Sequence, residues 1–403
     1  MTRGTRRLGE MSRLLPSGIP IAALISVVGL LLVAVVTLNL LAGRFPGGGS
    51  GDAPPVTRTP TPSNVVVVPD DPRADIPGTL VYVKSGNIWV QSGLEAQQLT
   101  TGGRDAMPSL SPDGLHVYFV RTRAEAGLWP ASGSDRYYTM EVPALMRVPT
   151  AADAPVEMLL DGKIERGDRS WFGWIRQPVV SPDGRTVAML TDLPDPTRSN
   201  VVMHTFDLAT STLTRVRAPE LAPLGHQDPE WRADGRILMY VRNGRDGATG
   251  TPAIWNYAVP SATAGVLTNP GYLHPSSSRD SRWIAATRTS AFGTDIVILK
   301  ASDGSEVLRL TDDGRSWAPV WSPKGDAIAF LHTEGQVVDL RLIPLSGAGP
   351  TWTPGDALDL TVLSGLDSAS RPDWFIPASL LPVPTPVPTI APSSAPSVSP
   401  SGS

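Results

Sequence analysis

Six short segments of the chain align without gaps, and no other feature restricts the possible folds so tightly. They are Met107-Pro-Ser-Leu-Ser-Pro-Asp-Gly114, Gln177-Pro-Val-Val-Ser-Pro-Asp-Gly184, Asp228-Pro-Glu-Trp-Arg-Ala-Asp-Gly235, His274-Pro-Ser-Ser-Ser-Arg-Asp-Ser281, Ala318-Pro-Val-Trp-Ser-Pro-Lys-Gly325 and Arg371-Pro-Asp-Trp-Phe-Ile-Pro377. The second position is always proline, at 108, 178, 229, 275, 319 and 372, with intervals of 70, 51, 46, 44 and 53 residues. A period of this length marks a repeat architecture, in which one unit buries its apolar face only against its neighbours.

Each part of the motif has a mechanical reason. A proline at the start of a strand needs no ladder N–H. Two residues later comes a core position, filled by Leu110, Val180, Trp231, Ser277, Trp321 and Trp374. Ser-Pro-Asp-Gly then suits a tight reversal: proline presets φ, aspartate tolerates the next position and glycine supplies the left-handed exit. A second strand follows at once at Val117–Val120, Val187–Leu190, Ile237–Val241, Trp283–Ala286 and Ile328–Leu331. These runs are continuously apolar, as strands are when both faces are covered. Third strands are expected at Asn87–Val90, Val201–Phe206, Ile254–Val259, Asp295–Leu299 and Val338–Ile343. Fourth strands are expected to end in Leu-Thr at 99–100, 267–268 and 310–311.

Four strands at this period predict an all-β fold, a six-bladed β-propeller over residues 78–381. The count carries a closure rule. Residues 79–100 supply three strands with no motif strand ahead of them, and the motif at 371–377 has no strands after it. Pairing the two closes the ring and leaves no lone edge. The 70-residue interval has room for insertions around 124–138 and 161–174. With 41 Pro and 38 Gly in 403 residues, a mostly helical chain is excluded.

The flanks differ in kind. From Leu14 to Gly43 there is no charged side chain, and residues 19–42 are dominated by Leu, Val, Ile and Ala. As a helix at about 1.5 Å per residue this segment reaches ~36 Å, enough for a ~30 Å hydrocarbon layer. Arg3, Arg6, Arg7 and Arg13 precede it, so the positive-inside rule keeps residues 1–18 cytoplasmic and sends the rest across. The expectation is a single-pass cell-membrane protein with an uncleaved anchor. A cleaved signal peptide is the competing reading, but its apolar region of roughly 7–15 residues is shorter. Residues 43–77 read as a Gly/Pro-rich stalk, and 382–403 as a disordered Pro/Ser-rich tail.

The motif resembles the PD40 (WD40-like, TolB-type) repeat, whose signature is a Pro, an apolar or Trp position, Ser-Pro-Asp-Gly and a Leu-Thr strand end. The full pattern stands at 108–114 and 178–184, with a near-full copy at 319–325. The resemblance covers about three quarters of the chain and implies a TolB-like propeller with a protein-binding role in the cell envelope. It departs from the family's periplasmic member in lacking room for an N-terminal α/β domain and in its anchor.

Function classes narrow accordingly. A net charge of −4 gives no basic surplus for nucleic acid. With no Cys there is no disulfide framework, thiolate nucleophile or Cys-ligated zinc. No Gly-x-Ser-x-Gly elbow, His-Glu-x-x-His or P-loop occurs. No catalytic residue, metal or cofactor is therefore assigned, and the chain is read as non-catalytic. The candidate ligand-binding residues are those entering the central channel ahead of each motif proline: Asp105, Arg176, His226, Asp228, Tyr272, His274, Trp317 and Arg371. His, Asp, Arg and aromatic groups converging from six blades suit a polar ligand or a metal, the metal guess being His226, Asp228 and His274. The expected partner is a protein or cell-envelope component, with a small molecule as a further possibility. The alternatives are a hydrolase or lactonase-like enzyme at the tunnel mouth, or a sensor relaying through the anchor.

Overall fold

The computed structural model describes residues 71–128, 137–196, 198–220, 225–242 and 252–381. The predicted cytoplasmic segment 1–18, the anchor 19–42, most of the stalk 43–77 and the tail 382–403 lie outside them. Among the described residues no helix is long and apolar enough to cross a membrane.

Six antiparallel sheets, one per motif, carry the fold. Blade 2 runs Asp105–Leu110, His116–Leu128, Tyr137–Pro149 and Glu157–Asp161, from the innermost strand outward. Blade 3 is Ile175–Val180, Thr186–Thr191, Val202–Asp207 and Thr212–Arg215; blade 4 is Gln227–Trp231, Ile237–Arg242, Ala253–Ala258 and Thr263–Val266. Blade 5 is Tyr272–Ser277, Trp283–Ser290, Gly293–Lys300 and Glu306–Arg309. Blade 6 is Ser316–Trp321, Ala327–Glu334 and Val337–Ser346, with two short outer strands, Thr353–Pro354 and Leu358–Asp359.

Blade 1 joins the two ends of the propeller. Its innermost strand is Asp373–Phe375, paired with Thr79–Lys84, Asn87–Ser92 and Glu95–Gln98. The register is Thr79 to Phe375, Leu80 to Trp374 and Val81 to Asp373. The Trp374 indole N–H also donates to the Pro77 carbonyl at 3.0 Å. The expected closure is thus realised.

The continuous apolar runs are explained by the seams. Leu80 and Tyr82 pack with blade 6 residues such as Leu331 and Leu340, while Val81 and Val83 pack with blade 2 residues such as Val117 and Phe119. The other four seams are built the same way. A central strand therefore buries both its faces, and strict alternation disappears.

The turns behave as the motif predicts. Gly114, Gly184, Gly235, Ser281 and Gly325 all take positive φ, and each backbone N–H donates to the carbonyl three residues back at 2.8–2.9 Å. In blade 2 the glycine has a second reason. A Cβ on Gly114 would lie 2.2 Å from the Phe375 ring of the closing strand.

The long interval holds two additions. The hairpin of blade 2 is extended, its strands of 13 residues each running beyond the blade, and a separate hairpin forms from Lys163–Arg166 and Arg169–Phe172. Trp171 and Phe172 pack there against Met140 and Val142.

One expectation needs correction. The fourth strands stop before Leu-Thr, at Gln98, Val266 and Arg309. The leucine N–H still bonds the third strand, and the threonine hydroxyl accepts from the third-strand N–H: Ile88 to Thr100 at 2.9 Å, Ile254 to Thr268 at 3.0 Å, Ile296 to Thr311 at 2.9 Å. Leu360-Thr361, not among the expected copies, does the same for Leu340 at 2.9 Å. The threonine satisfies a buried donor where ladder pairing stops.

Candidate functional site

Five of the six innermost strands carry an irregularity at the same place, immediately before the motif proline. Met107, Gln177, Asp228, His274 and Ala318 have φ between 46° and 56°, and the register slips there in each blade. Left-handed φ is costly for such residues and persists only where the surroundings enforce it. Here it turns the residue's backbone N–H out of its own sheet and toward the adjoining blade.

The result is a chain of hydrogen bonds around the tunnel axis. Met107 N–H donates to Ser370 Oγ at 2.9 Å, and Gln177 N–H to Met107 Sδ at 3.2 Å. Asp228 N–H donates to Gln177 Oε1 at 2.9 Å, and His274 N–H to Asp228 Oδ2 at 3.1 Å. Ala318 N–H closes on Thr287 Oγ1 at 2.9 Å. A second, partial belt lies one turn deeper. Leu110 N–H donates to Asp373 Oδ2 at 2.8 Å, Ser277 N–H to Glu230 Oε1 at 3.4 Å and Trp321 N–H to Ser276 Oγ at 3.1 Å.

These belts decide what the eight sequence-predicted residues do. Asp228, His274 and Arg371 come together, joined by Gln177, whose amide donates to Asp228 Oδ1 at 2.6 Å. His274 Nε2 stands 3.7 Å from Asp228 Oδ2, and its Nδ1 is 3.1 Å from Thr287 Oγ1. Burial pushes the Asp228 carboxyl up, but the His274 and Arg371 charges and its hydrogen bonds hold it below the usual range. Burial keeps His274 low despite Asp228, and Arg371 adds to the effect. The pair is thus a carboxylate beside a neutral imidazole.

Arg371 crosses the tunnel. It belongs to the closing segment of blade 1, yet its Nη2 donates to the Pro275 carbonyl in blade 5 at 2.8 Å and reaches Glu230 Oε2 in blade 4 at 3.4 Å. Burial pushes Glu230 up to about 7, with Arg371 holding it back and the Asp373 carboxylate adding to the rise. Asp373 is raised by burial against its own backbone hydrogen bonds. Glu230 and Asp373 were not among the expected residues. They stand one place after the motif proline, and only the axis-facing pleat brings them inward.

Of the other five, four are held by contacts of their own. Asp105 is buried against its own blade and takes a bidentate pair from Arg121 at 2.6 and 2.8 Å. Tyr272 donates its hydroxyl to Glu306 at 3.1 Å, and Trp317 donates its indole N–H to the Ser368 carbonyl at 3.0 Å. Arg176 is exposed.

His226 is set apart from Asp228 and His274, and the reason is structural. In blade 3 the position matching the Leu-Thr threonine is Arg217, which cannot accept. His226 supplies the missing acceptor, its Nδ1 receiving Met203 N–H at 3.2 Å while Nε2 donates to the Pro219 carbonyl at 2.9 Å. Those two partners fix the tautomer, because one can only donate and the other only accept. The ring is buried beside Tyr240, centroids 4.6 Å apart, and burial pushes its pKa down to about 4. Among the described residues no group of three or more His, Asp and Glu is placed to hold a metal ion.

Beyond the belts, toward the face where the Ser-Pro-Asp-Gly turns gather, the tunnel opens into a cavity of about 400 Å³. Gln177, Glu230, Arg371 and Asp373 border it, and Pro112, Pro182 and Pro323 stand at its rim. Two buried donors in its wall have no partner: Trp231 Nε1 and Arg371 Nε.

No protein-family model matches the chain, and no curated protein matches it. Among solved structures it is similar to TolB of Acinetobacter baumannii, at 17% identity and a TM-score of 0.52 over 74% of this chain and 66% of that one. A TolB protein of Agrobacterium tumefaciens compares at 17% identity and a TM-score of 0.51, over 74% of this chain and 98% of that one. The chain has the TolB-type propeller fold. It spans just under two thirds of the Acinetobacter TolB.

Proposed function

We propose that this chain is a membrane-anchored, extracytoplasmic, non-catalytic binding module, its ligand a protein or cell-envelope component seated in the tunnel cavity. The carrying observation is the contrast between the two ends of the tunnel. At the belts, Asp228, His274 and Gln177 are spent on one another and on backbone N–H groups of adjoining blades. At the cavity, side chains of Glu230, Trp231 and Arg371 border open volume. A cavity of this size with a few convergent polar groups in mostly apolar walls suits ligand binding. The anchor at 19–42 is part of this proposal, and so is the location of the propeller outside the cytoplasm.

The test is photo-crosslinking of the full chain in its native membranes, with the reactive group replacing Ala233 at the cavity. A discrete adduct that disappears in Trp231→Phe supports the binding role. Turnover of ester, lactone or glycoside substrates by the purified chain, abolished by a tunnel substitution, overturns the non-catalytic reading.

A further inference from the structure

The six motifs build the tunnel cavity in layers. The third motif position lines it from every blade, as Ser109, Val179, Glu230, Ser276, Val320 and Asp373. The sixth position rings its mouth, as Pro112, Pro182, Ala233, Arg279, Pro323 and Ile376. Two third-position residues are ionisable, Glu230 of blade 4 and Asp373 of blade 1. Three blades apart in a ring of six, they stand on opposite sides of the axis. We infer that the cavity receives a lysine side chain of a partner protein, its ammonium seated against Glu230 and its methylene stem between the rim prolines. The inference rests on the reading of this cavity as the binding site, and names the chemistry that the site recognises.

Three features fit this occupant. The first is bonding. Glu230 meets Ser277 N–H and Arg371 Nη2, each at 3.4 Å. Asp373, by contrast, accepts Leu110 N–H at 2.8 Å and Trp374 N–H at 2.7 Å. Hydrogen bonds of a carboxylate to a cation run at about 2.7–2.9 Å, so Glu230 keeps acceptor capacity. It lines the cavity, and 21% of its side-chain surface is open.

The second feature is charge. Glu230, Asp373 and Arg371 put two carboxyls and one guanidinium at the cavity floor, one cation short of balance. In the free chain a proton fills that place, because burial and the Asp373 charge keep Glu230 protonated up to about 7 although Arg371 opposes them. The other charged or titratable groups nearby are Arg279 at the rim and the Asp228–His274 pair at the belt. An ammonium entering beside Glu230 takes the proton's place and restores the balance.

The third feature is the wall. Val179, Val320 and the rim prolines are apolar, and such a wall suits a side chain that buries its methylenes while its head stays charged. Lysine fits better than arginine. An ammonium is a compact point charge for one under-bonded carboxylate, whereas a guanidinium is a planar fork that seeks matched acceptors. One guanidinium, that of Arg371, already flanks Glu230. Among the described residues no group of three or more His, Asp and Glu is placed to take a metal ion instead.

The experiment titrates the full chain, purified in detergent, with Nα-acetyl-lysine methylamide and reads the dissociation constant by ligand-observed nuclear magnetic resonance. Binding is expected at pH 8. The norleucine analogue, which keeps the stem and lacks the ammonium, should bind at least about tenfold more weakly, the effect of one charge-assisted bond. Glu230→Gln should weaken the lysine analogue to the same degree. The norleucine arm leaves the protein unaltered, so it decides the matter even if that variant folds poorly. Between pH 6 and pH 8 the fraction of Glu230 without its proton rises from about 0.1 to about 0.9, so affinity for the lysine analogue should rise about tenfold while that for norleucine stays flat. Equal binding of the two analogues, no pH dependence, or full binding by Glu230→Gln overturns the proposal, and so does calcium chloride displacing the lysine analogue at lower concentration than methylammonium does. No binding of the lysine analogue while the crosslinked adduct at Ala233 still forms overturns the lysine alone; loss of both overturns the cavity as a site.

Discussion

Substituting His226 by Gln tests whether this histidine is a structural acceptor or part of a binding site. Gln keeps an acceptor for Met203 N–H and removes the titrating ring. The wild-type imidazole is about 3% exposed, and its pKa is pushed down to about 4 in the fold, against about 6.5 in the unfolded chain. Between those values the unfolded state binds the extra proton, so stability rises with pH there. The contribution is fully present above about pH 6.5 and drains as the pH falls toward 4. Integrating that difference gives a loss of about 2 kcal/mol by pH 5 and about 3 kcal/mol by pH 4. Urea titrations at pH 7.5 and pH 5 read it directly. The wild type should lose about 2 kcal/mol more than His226→Gln over that interval. An identical pH dependence in both would refute the burial argument, and metal-dependent stabilisation lost in the variant would restore the metal reading.

Other outcomes follow from the same physics. Thr268→Val leaves the buried Ile254 N–H without its 3.0 Å acceptor and should cost about 1–3 kcal/mol in chemical denaturation, whereas exposed Thr263→Val should stay within about 0.5 kcal/mol. Trp374→Ala empties the seam between blades 6 and 1 and should cost about 3–5 kcal/mol, visible as an earlier denaturation midpoint. Glu230→Gln should flatten the loss of stability between pH 5 and pH 8. The folded state holds a proton on Glu230 up to about 7 while the unfolded chain releases it near 4.5, so the wild type loses stability as the pH rises through that window and the amide does not. An unchanged slope in denaturation curves would count against it.

Much of the fold was legible because the motif proline, its core position and its turn act locally. The closing strand could be placed from Arg371-Pro-Asp-Trp because an orphan strand and an orphan trio have one economical pairing. The site was less legible. Nothing local says that Met107, Gln177, Asp228, His274 and Ala318 adopt left-handed φ, since residues before proline ordinarily favour extended backbone. That conformation comes from the ring, where each N–H finds an acceptor on the adjoining blade. Asp105 and Tyr272 were expected at the mouth because they precede the motif; Asp105 stands opposite Arg121 in the strand register and bonds it, and the Tyr272 hydroxyl reaches Glu306 in its own blade. His226 left one readable trace. Val216-Arg217 stands where other blades have Leu-Thr, so an acceptor had to come from elsewhere. Glu230 and Asp373 lie inside the motif, where a repeated structural position hides a local change of chemistry.

The shared blade on which the ring depends can be tested with one disulfide, because the natural chain has no Cys. Thr79 and Phe375 stand directly opposite one another in the pairing of the first and last strands. Opposed antiparallel residues have Cα atoms about 4.5–5.5 Å apart, within the range a disulfide spans. In the full chain carrying Thr79→Cys and Phe375→Cys, mild oxidation should give a single intrachain bridge in essentially every molecule and raise the denaturation midpoint. Thiols that remain free, or that join only between molecules, would contradict the closed six-bladed ring.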